Sequence, residues 1–216
     1  MLRMPSMSLA ELEDPIHLPH LRTLRFPSGS TCLLALNPAD LAELHADAVS
    51  APVLDAFLHR AGHVASLSLS QMIFQGNELQ RVLGSLPSLH SLSLNQCSLR
   101  FDLFFESMMV GARPADSCPK RMRGSVYMPC LERLRMVNCR NGTEALGELD
   151  INLLLPMIRL RREAQSVRCM RYIEIWPMRP SFVEECRRDW EGIEELVAVL
   201  EQSQGSSIAS GMCEGF

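Results

Sequence analysis

Apolar side chains recur along this chain in a short frame. Leu89-His90-Ser91-Leu92-Ser93-Leu94-Asn95-Gln96-Cys97 reads L-x-x-L-x-L-x-x-C, and Leu131-Glu132-Arg133-Leu134-Arg135-Met136-Val137-Asn138-Cys139 repeats the spacing. The same apolar frame returns at Leu21/Leu24/Phe26, Leu41/Leu44/Ala46, Val64/Leu67/Leu69 and Met170/Ile173/Ile175. Period-two alternation sends both leucines of L-x-L to one face of a short strand and their neighbours to the other. The leading apolar residue and the closing cysteine then sit where the chain turns into and out of the strand. Leu18-Pro19, Leu86-Pro87 and Met128-Pro129 introduce three of the frames with a similar lead-in.

The middle anchors are Leu24, Leu44, Leu67, Leu92, Leu134 and Ile173, in steps of 20, 23, 25, 42 and 39 residues. The first three steps lie in the range of roughly 20–29 residues typical of leucine-rich repeats. The last two imply inserted helical segments or a degenerate coil. The short steps also favour a strand at Ala42–Ala46 over a helix started by Asn37 and Pro38. Leu146/Leu149/Ile151 falls too close to Leu134 for another coil and reads as helix.

Helical patterns lie between the frames. Pro52 suits the first turn of a helix carrying Val53, Leu54, Phe57 and Leu58, and Gly62 its stop. Asn77 can cap a helix with Leu79, Val82, Leu83 and Leu86. Phe101 to Val110 is apolar enough for a buried helix. Leu153 to Arg162 ends in Arg159, Arg161 and Arg162, which suits a helix C-terminus. Gly192 to Gln202 carries Ile193, Leu196, Val197 and Leu200 on one stripe. Strand–helix alternation of this kind predicts an α/β leucine-rich-repeat solenoid of about six coils over residues 18–203. A curved parallel sheet would form its concave face and helices its convex face. Residues 1–17 read as an N-terminal lead-in, 112–124 as an exposed loop and 204–216 as a disordered Gly/Ser-rich tail.

Composition narrows the function classes. The 216 residues are 47% hydrophobic, 21% charged and 6% aromatic, so a real core is expected and wholesale disorder is not. A net charge of -4 demotes bulk nucleic-acid binding, and no nucleic-acid partner is expected. No apolar run approaches the roughly 20 residues that span a bilayer. No secretory h-region follows Met1, so a cytoplasmic or nuclear location without a membrane partner is expected. The eight cysteines contain no C-x-x-C pair that would nucleate a zinc site, and they read as core-filling or coil-turn residues.

Catalytic constellations are absent from the sequence. It holds no G-x-S-x-G elbow, Walker loop, H-E-x-x-H or G-x-G-x-x-G. Phe26-Pro27-Ser28-Gly29-Ser30-Thr31 lacks the lysine of a phosphate loop, and no cofactor is expected. His45 and His90 would sit on strands, and His59 and His63 would flank a helix end, with no acid spaced to orient one as a base. Asn141-Gly142-Thr143 reads as a turn.

A binding surface is better defined. Residues alternating with the leucines face the concave side. The candidates are Arg25, Ser68, Ser91, Ser93, Asn95, Arg133, Arg135, Tyr172, Glu174 and Trp176. Thr23, Glu43, His45, Ser66 and Ser70 share that side. Small hydroxyls in the middle let a partner approach the backbone. Arginine and aromatic residues, the types that most often anchor protein interfaces, gather at the C-terminal end.

The segment Ala51-Pro52-Val53-Leu54-Asp55-Ala56-Phe57-Leu58-His59-Arg60-Ala61-Gly62, then Ser66-Leu67-Ser68-Leu69, then Leu86-Pro87-Ser88-Leu89-His90-Ser91-Leu92 resembles the repeat region of fungal F-box proteins. In those proteins "P-x-L-x-x-F-L-x-R-S-G", "L-x-S-L-x-L" and "L-P-x-L-x-x-L-x-L" recur in this order, with Ser where Ala61 stands here. The resemblance covers roughly residues 16–200. It implies repeats that hold a protein substrate for a cullin ubiquitin ligase. Docking to a Skp-type adaptor would follow only from an F-box upstream, and none is readable before Leu18. The expected function is a non-enzymatic protein-binding module. The alternative is a structural repeat-only remnant or fragment without a dedicated ligand.

Overall fold

A computed structural model describes residues 15–27, 31–61, 63–110, 128–142, 154, 156–158, 160–161 and 170–176. Its ordered elements run β1 (Ile16–His17), β2 (Thr23–Phe26), a 3₁₀ turn (Thr31–Ala35), β3 (Leu36–Asn37), β4 (Glu43–Asp47) and α1 (Ala51–Leu58). They continue with β5 (Ser66–Ser70), α2 (Glu78–Gly84), β6 (Ser91–Asn95), β7 (Ser98–Leu99) and α3 (Phe101–Val110). β8 (Arg133–Val137), β9 (Arg140–Asn141) and β10 (Tyr172–Trp176) follow.

Six strands form one parallel sheet in the order β2-β4-β5-β6-β8-β10. The strand predicted at Ala42–Ala46 is β4, shifted by one residue. Register runs straight through the anchors: Leu24, Leu44, Leu67, Leu92, Leu134 and Ile173 are successive partners. Phe26, Ala46, Leu69, Leu94, Met136 and Ile175 form the next row. Apart from half-buried Leu24, both rows are buried. They share one hydrophobic cluster with Leu54, Phe57 and Leu58 of α1, Leu79, Val82 and Leu83 of α2, and Phe104, Phe105 and Met108 of α3. The helices therefore cover the leucine side of the sheet. Each fully buried leucine contributes roughly 1.5–3 kcal/mol.

Each of the strands β4, β5, β6 and β8 ends on a residue in left-handed backbone conformation. These are Ala48 (φ 48°), Gln71 (φ 54°), Gln96 (φ 53°) and Asn138 (φ 52°). This conformation turns the chain sharply out of the sheet, and for a residue with a Cβ it costs about 1–2 kcal/mol. The next residue is buried in every case: Val49, Met72, Cys97 and Cys139. The two cysteines thus occupy the expected exit position. The Cys97 Sγ donates to the Leu69 carbonyl at 3.4 Å, and the Cys139 Sγ to the Leu94 carbonyl at 3.5 Å. Burial raises the Cys97 thiol pKa and pushes that of Cys139 up to about 12. Beyond the corner runs a second, shorter ladder, with Ile73 bridged to Ser98 and β7 paired with β9.

The proline lead-ins form one kind of turn. The amides of Leu21, Leu89 and Leu131 donate to the carbonyls of Leu18, Leu86 and Met128, each at 3.2 Å. Proline presets the backbone at the second position of such turns. The turn before β8 has an additional clamp. Arg161, fully buried, donates from Nη2 to the carbonyls of Met128 (3.1 Å) and Leu131 (3.0 Å). The sequence places Arg161 in the last turn of a helix. The backbone of 154, 156–158 and 160–161 is helical as predicted, but this arginine points into the core.

Other expectations need correction. Leu86 lies beyond the end of α2, in the turn. Asn77 precedes α2 without a side-chain cap bond, and the Gln75 amide donates to Glu78 Oε2 instead, at 2.9 Å. Asn141 belongs to β9, and its Oδ1 accepts the amide of Phe101 at the start of α3 (3.2 Å). Gly62, the loop at 112–124, the Leu146/Leu149/Ile151 helix, the 192–202 helix and the tail lie outside the described residues.

Candidate protein-binding face

The strand residues between the leucines lie on the side of the sheet that no described helix covers. Register aligns them in three rows. One row is Thr23, Glu43, Ser66, Ser91, Arg133 and Tyr172. Beside it run Arg25, His45, Ser68, Ser93, Arg135 and Glu174. The last is Asp47, Ser70, Asn95, Val137 and Trp176. All ten predicted residues therefore lie on strands of one sheet; nine fall on the adjacent strands β5, β6, β8 and β10, and Arg25 on β2 is separated from them by β4.

Exposure varies across the face. Arg25, Glu43, Arg133 and Arg135 are exposed, whereas Ser66, Ser68, Ser70, Ser91, Ser93 and Asn95 are half-buried between their neighbours. The floor over β5 and β6 is thus short, neutral and polar, with longer charged side chains on both flanks. The Thr23 hydroxyl donates to Glu43 Oε2 at 3.4 Å, a long and weak bond.

The C-terminal end is internally wired. Glu174 Oε2 accepts both the Arg135 Nε–H at 2.8 Å and the Tyr172 hydroxyl at 2.7 Å. Burial first, and then the bond to Glu174, raise the Tyr172 phenol above its ordinary pKa. This trio holds Tyr172, Glu174 and Arg135 in fixed positions and neutralises the Arg135 charge. Arg133 has no ion-pair partner among the described residues and points its charge at solvent. Of Trp176 only the backbone is described, paired with Val137.

Sequence patterning did not single out Glu174 as the acceptor shared by two neighbours. Its signal was present, because Arg135 and Glu174 are register partners with opposite charge and Tyr172 is two residues away on the same face. The expectation that no acid is spaced to reach one of the histidines is corrected at His59, because Asp55 stands four residues earlier on α1 and that spacing brings helical side chains together. The His59 Nδ1 lies 2.9 Å from the Asp55 carbonyl and 3.3 Å from its Oδ1, at the exposed end of α1. No group of three or more His, Cys, Asp or Glu side chains able to hold a metal ion occurs among the described residues. Likewise no described helix is long and apolar enough to cross a membrane.

No protein-family model matches the chain, and no curated protein matches it. Among solved structures, the tropomodulin C-terminal domain from Caenorhabditis elegans is similar, with a TM-score of 0.44 and 12% identity. That match covers 88% of this chain and 90% of the other.

Proposed function

We propose that this chain is a non-enzymatic protein-binding module built as a leucine-rich-repeat solenoid, with the uncovered sheet face as its concave binding surface. The observation that carries the reading is the unbroken register of six strands. It lines up three rows of mostly polar residues on a rigid support and leaves them uncovered by any described element. A sheet stiffened by its own hydrogen bonds presents side chains with little ordering cost on binding. Small floor residues admit the backbone of a partner, and Arg133, Arg135, Tyr172 and Trp176 supply anchor types at one end. The resemblance to fungal F-box proteins suggests a substrate-recruiting role within a ubiquitin ligase, with a Skp-type adaptor engaged only through an F-box elsewhere in the full protein.

The test is site-directed photo-crosslinking during selection of displayed peptides against the full chain. A crosslinker at Ser68, on the open face, should capture the selected peptides. One at Ala56, exposed on α1, should not. The double variant Arg133→Ala/Trp176→Ala should weaken capture. Crosslinking from Ala56 alone would place the binding surface on the helical side and end this reading.

A further inference from the structure

The uncovered face has an ordered charge distribution. β4 contributes Glu43 and Asp47 with His45 between them, β5 and β6 contribute five serines and Asn95 with no charge, and β8 contributes Arg133 and Arg135. At the margins the sign reverses once more, with Arg25 on β2 and Glu174 on β10. Arg135 is already matched by Glu174, which leaves Arg133 without an ion-pair partner among the described residues of the C-terminal flank. Among the described residues, Glu43 keeps only the weak Thr23 contact. An acidic flank and a basic flank are thus separated by two neutral strands.

We infer that this face takes an extended segment of a partner protein that crosses the strands, with a cationic side chain over β4 and an anionic one over β8. The inference rests on the protein-binding reading above and names the chemistry of the partner. Three strand spacings separate the flanks, about 14 Å. An extended chain covers that distance in about four residues. The serine floor suits the stretch between, because short hydroxyls can meet main-chain amides and carbonyls where longer side chains would hold them away. A second copy of this chain fits less well. Two such faces would meet at their long flanking arginines and glutamates before their serine floors came within reach.

The probes are capped Gly/Ser peptides with one Lys and one Glu about four residues apart, in both orders. The comparison set has two Lys, two Glu, no charge, or Lys and Glu adjacent. Binding is read by fluorescence anisotropy on the full chain. At least one widely spaced Lys/Glu peptide should bind more tightly than every comparison peptide, and added salt should weaken it. Glu43→Lys and Arg133→Glu should each reduce its affinity about 3–10-fold, since exposed charge pairs are worth up to roughly 1 kcal/mol. The double variant Glu43→Lys/Arg133→Glu should recover affinity for the peptide of opposite order, which a merely structural effect would not do. Equal binding of neutral or single-sign peptides overturns the inference, as does unchanged affinity in both single variants. A salt-sensitive dimer lost in Arg133→Glu, without peptide binding, overturns it in favour of self-association. Ser68→Arg separates the two levels. If it blocks the peptides chosen by display while charge reversals do nothing, the charge inference fails and the binding face stands. If display capture survives it, the face itself is wrong.

Discussion

The stretch from β4 to β6 and the stretch from β6 to β10 close the same ladder with very different lengths of chain. Leu44, Leu67 and Leu92 are 23 and 25 residues apart, whereas Leu92, Leu134 and Ile173 are 42 and 39 apart. Register is nonetheless continuous through both. The reason is one of magnitude. Doubling a connection costs only about 0.6 kcal/mol in closure entropy. Seating one in-register leucine contributes roughly 1.5–3 kcal/mol. The strand frame therefore decides the pairing, and the length of the link barely matters. The two stretches also differ in how the turn before the strand is held. The Leu86–Leu89 turn before β6 relies on its own hydrogen bond, while the Met128–Leu131 turn before β8 is clamped by buried Arg161.

The most severe test of that equivalence is a charge in each half of the ladder. Leu92→Asp and Leu134→Asp should each cost about 4 kcal/mol or more, combining lost burial with an unpaired buried carboxylate. Both leucines are fully buried, so urea unfolding should show similar losses. A mild Leu134→Asp would mean that the ladder is loose across the long connection. Next comes the clamp. Arg161→Ala should destabilise by about 2–4 kcal/mol, through the Leu131 carbonyl that loses its arginine donor, the Met128 carbonyl that keeps only the Leu131 amide, and the cavity behind them. Among the described residues no arginine bonds to the Leu86–Leu89 turn, so this loss has no counterpart in the first stretch.

A smaller effect is pH-dependent. Cys139 holds its proton in the folded state up to about 12, against an ordinary 9.0, because burial disfavours the thiolate. The unfolded chain releases that proton first. Stability from this group is complete below about pH 8.5 and falls as pH rises toward the folded value. Cys139→Ser should flatten the decline seen between those limits in chemical denaturation, relative to the parent. An unaltered slope would show that Cys139 is accessible. The smallest change should come from the open face. Ser93→Ala should stay within about 0.5 kcal/mol, in contrast with its neighbour Leu92.

Much of this ladder was readable from alternation alone. A side-chain period of two leaves no freedom about which residues share a row once Leu92 and Leu134 are recognised as equivalent. Phe101–Val110 was equally plain, because a buried helix of that composition has few other options. The second ladder was not readable. β7 and β9 are two residues long, too short to show a period. The left-handed corners also left no mark, since Ala48, Gln71 and Gln96 are not the glycines or asparagines that usually announce that conformation. The burial of Arg161 left no mark either, because charge normally accompanies exposure. On the candidate face, positions followed from alternation. The bonding among Arg135, Tyr172 and Glu174 needed the register between strands 39 residues apart.

The left-handed residue after each strand makes the chain unequal in what it can absorb. Between the corner and the next lead-in, added length is nearly free, because closure entropy grows only with the logarithm of the loop. Between the lead-in and the corner, one added residue would exchange inside for outside at each later strand position before the turn. Placed after Leu92, it would set Leu94 in water and Ser93 among the leucines. Natural or engineered insertions should therefore be accepted by the dozen on one side of a coil and refused singly on the other. A scan of single-glycine insertions across 86–101 would draw that boundary at Gln96.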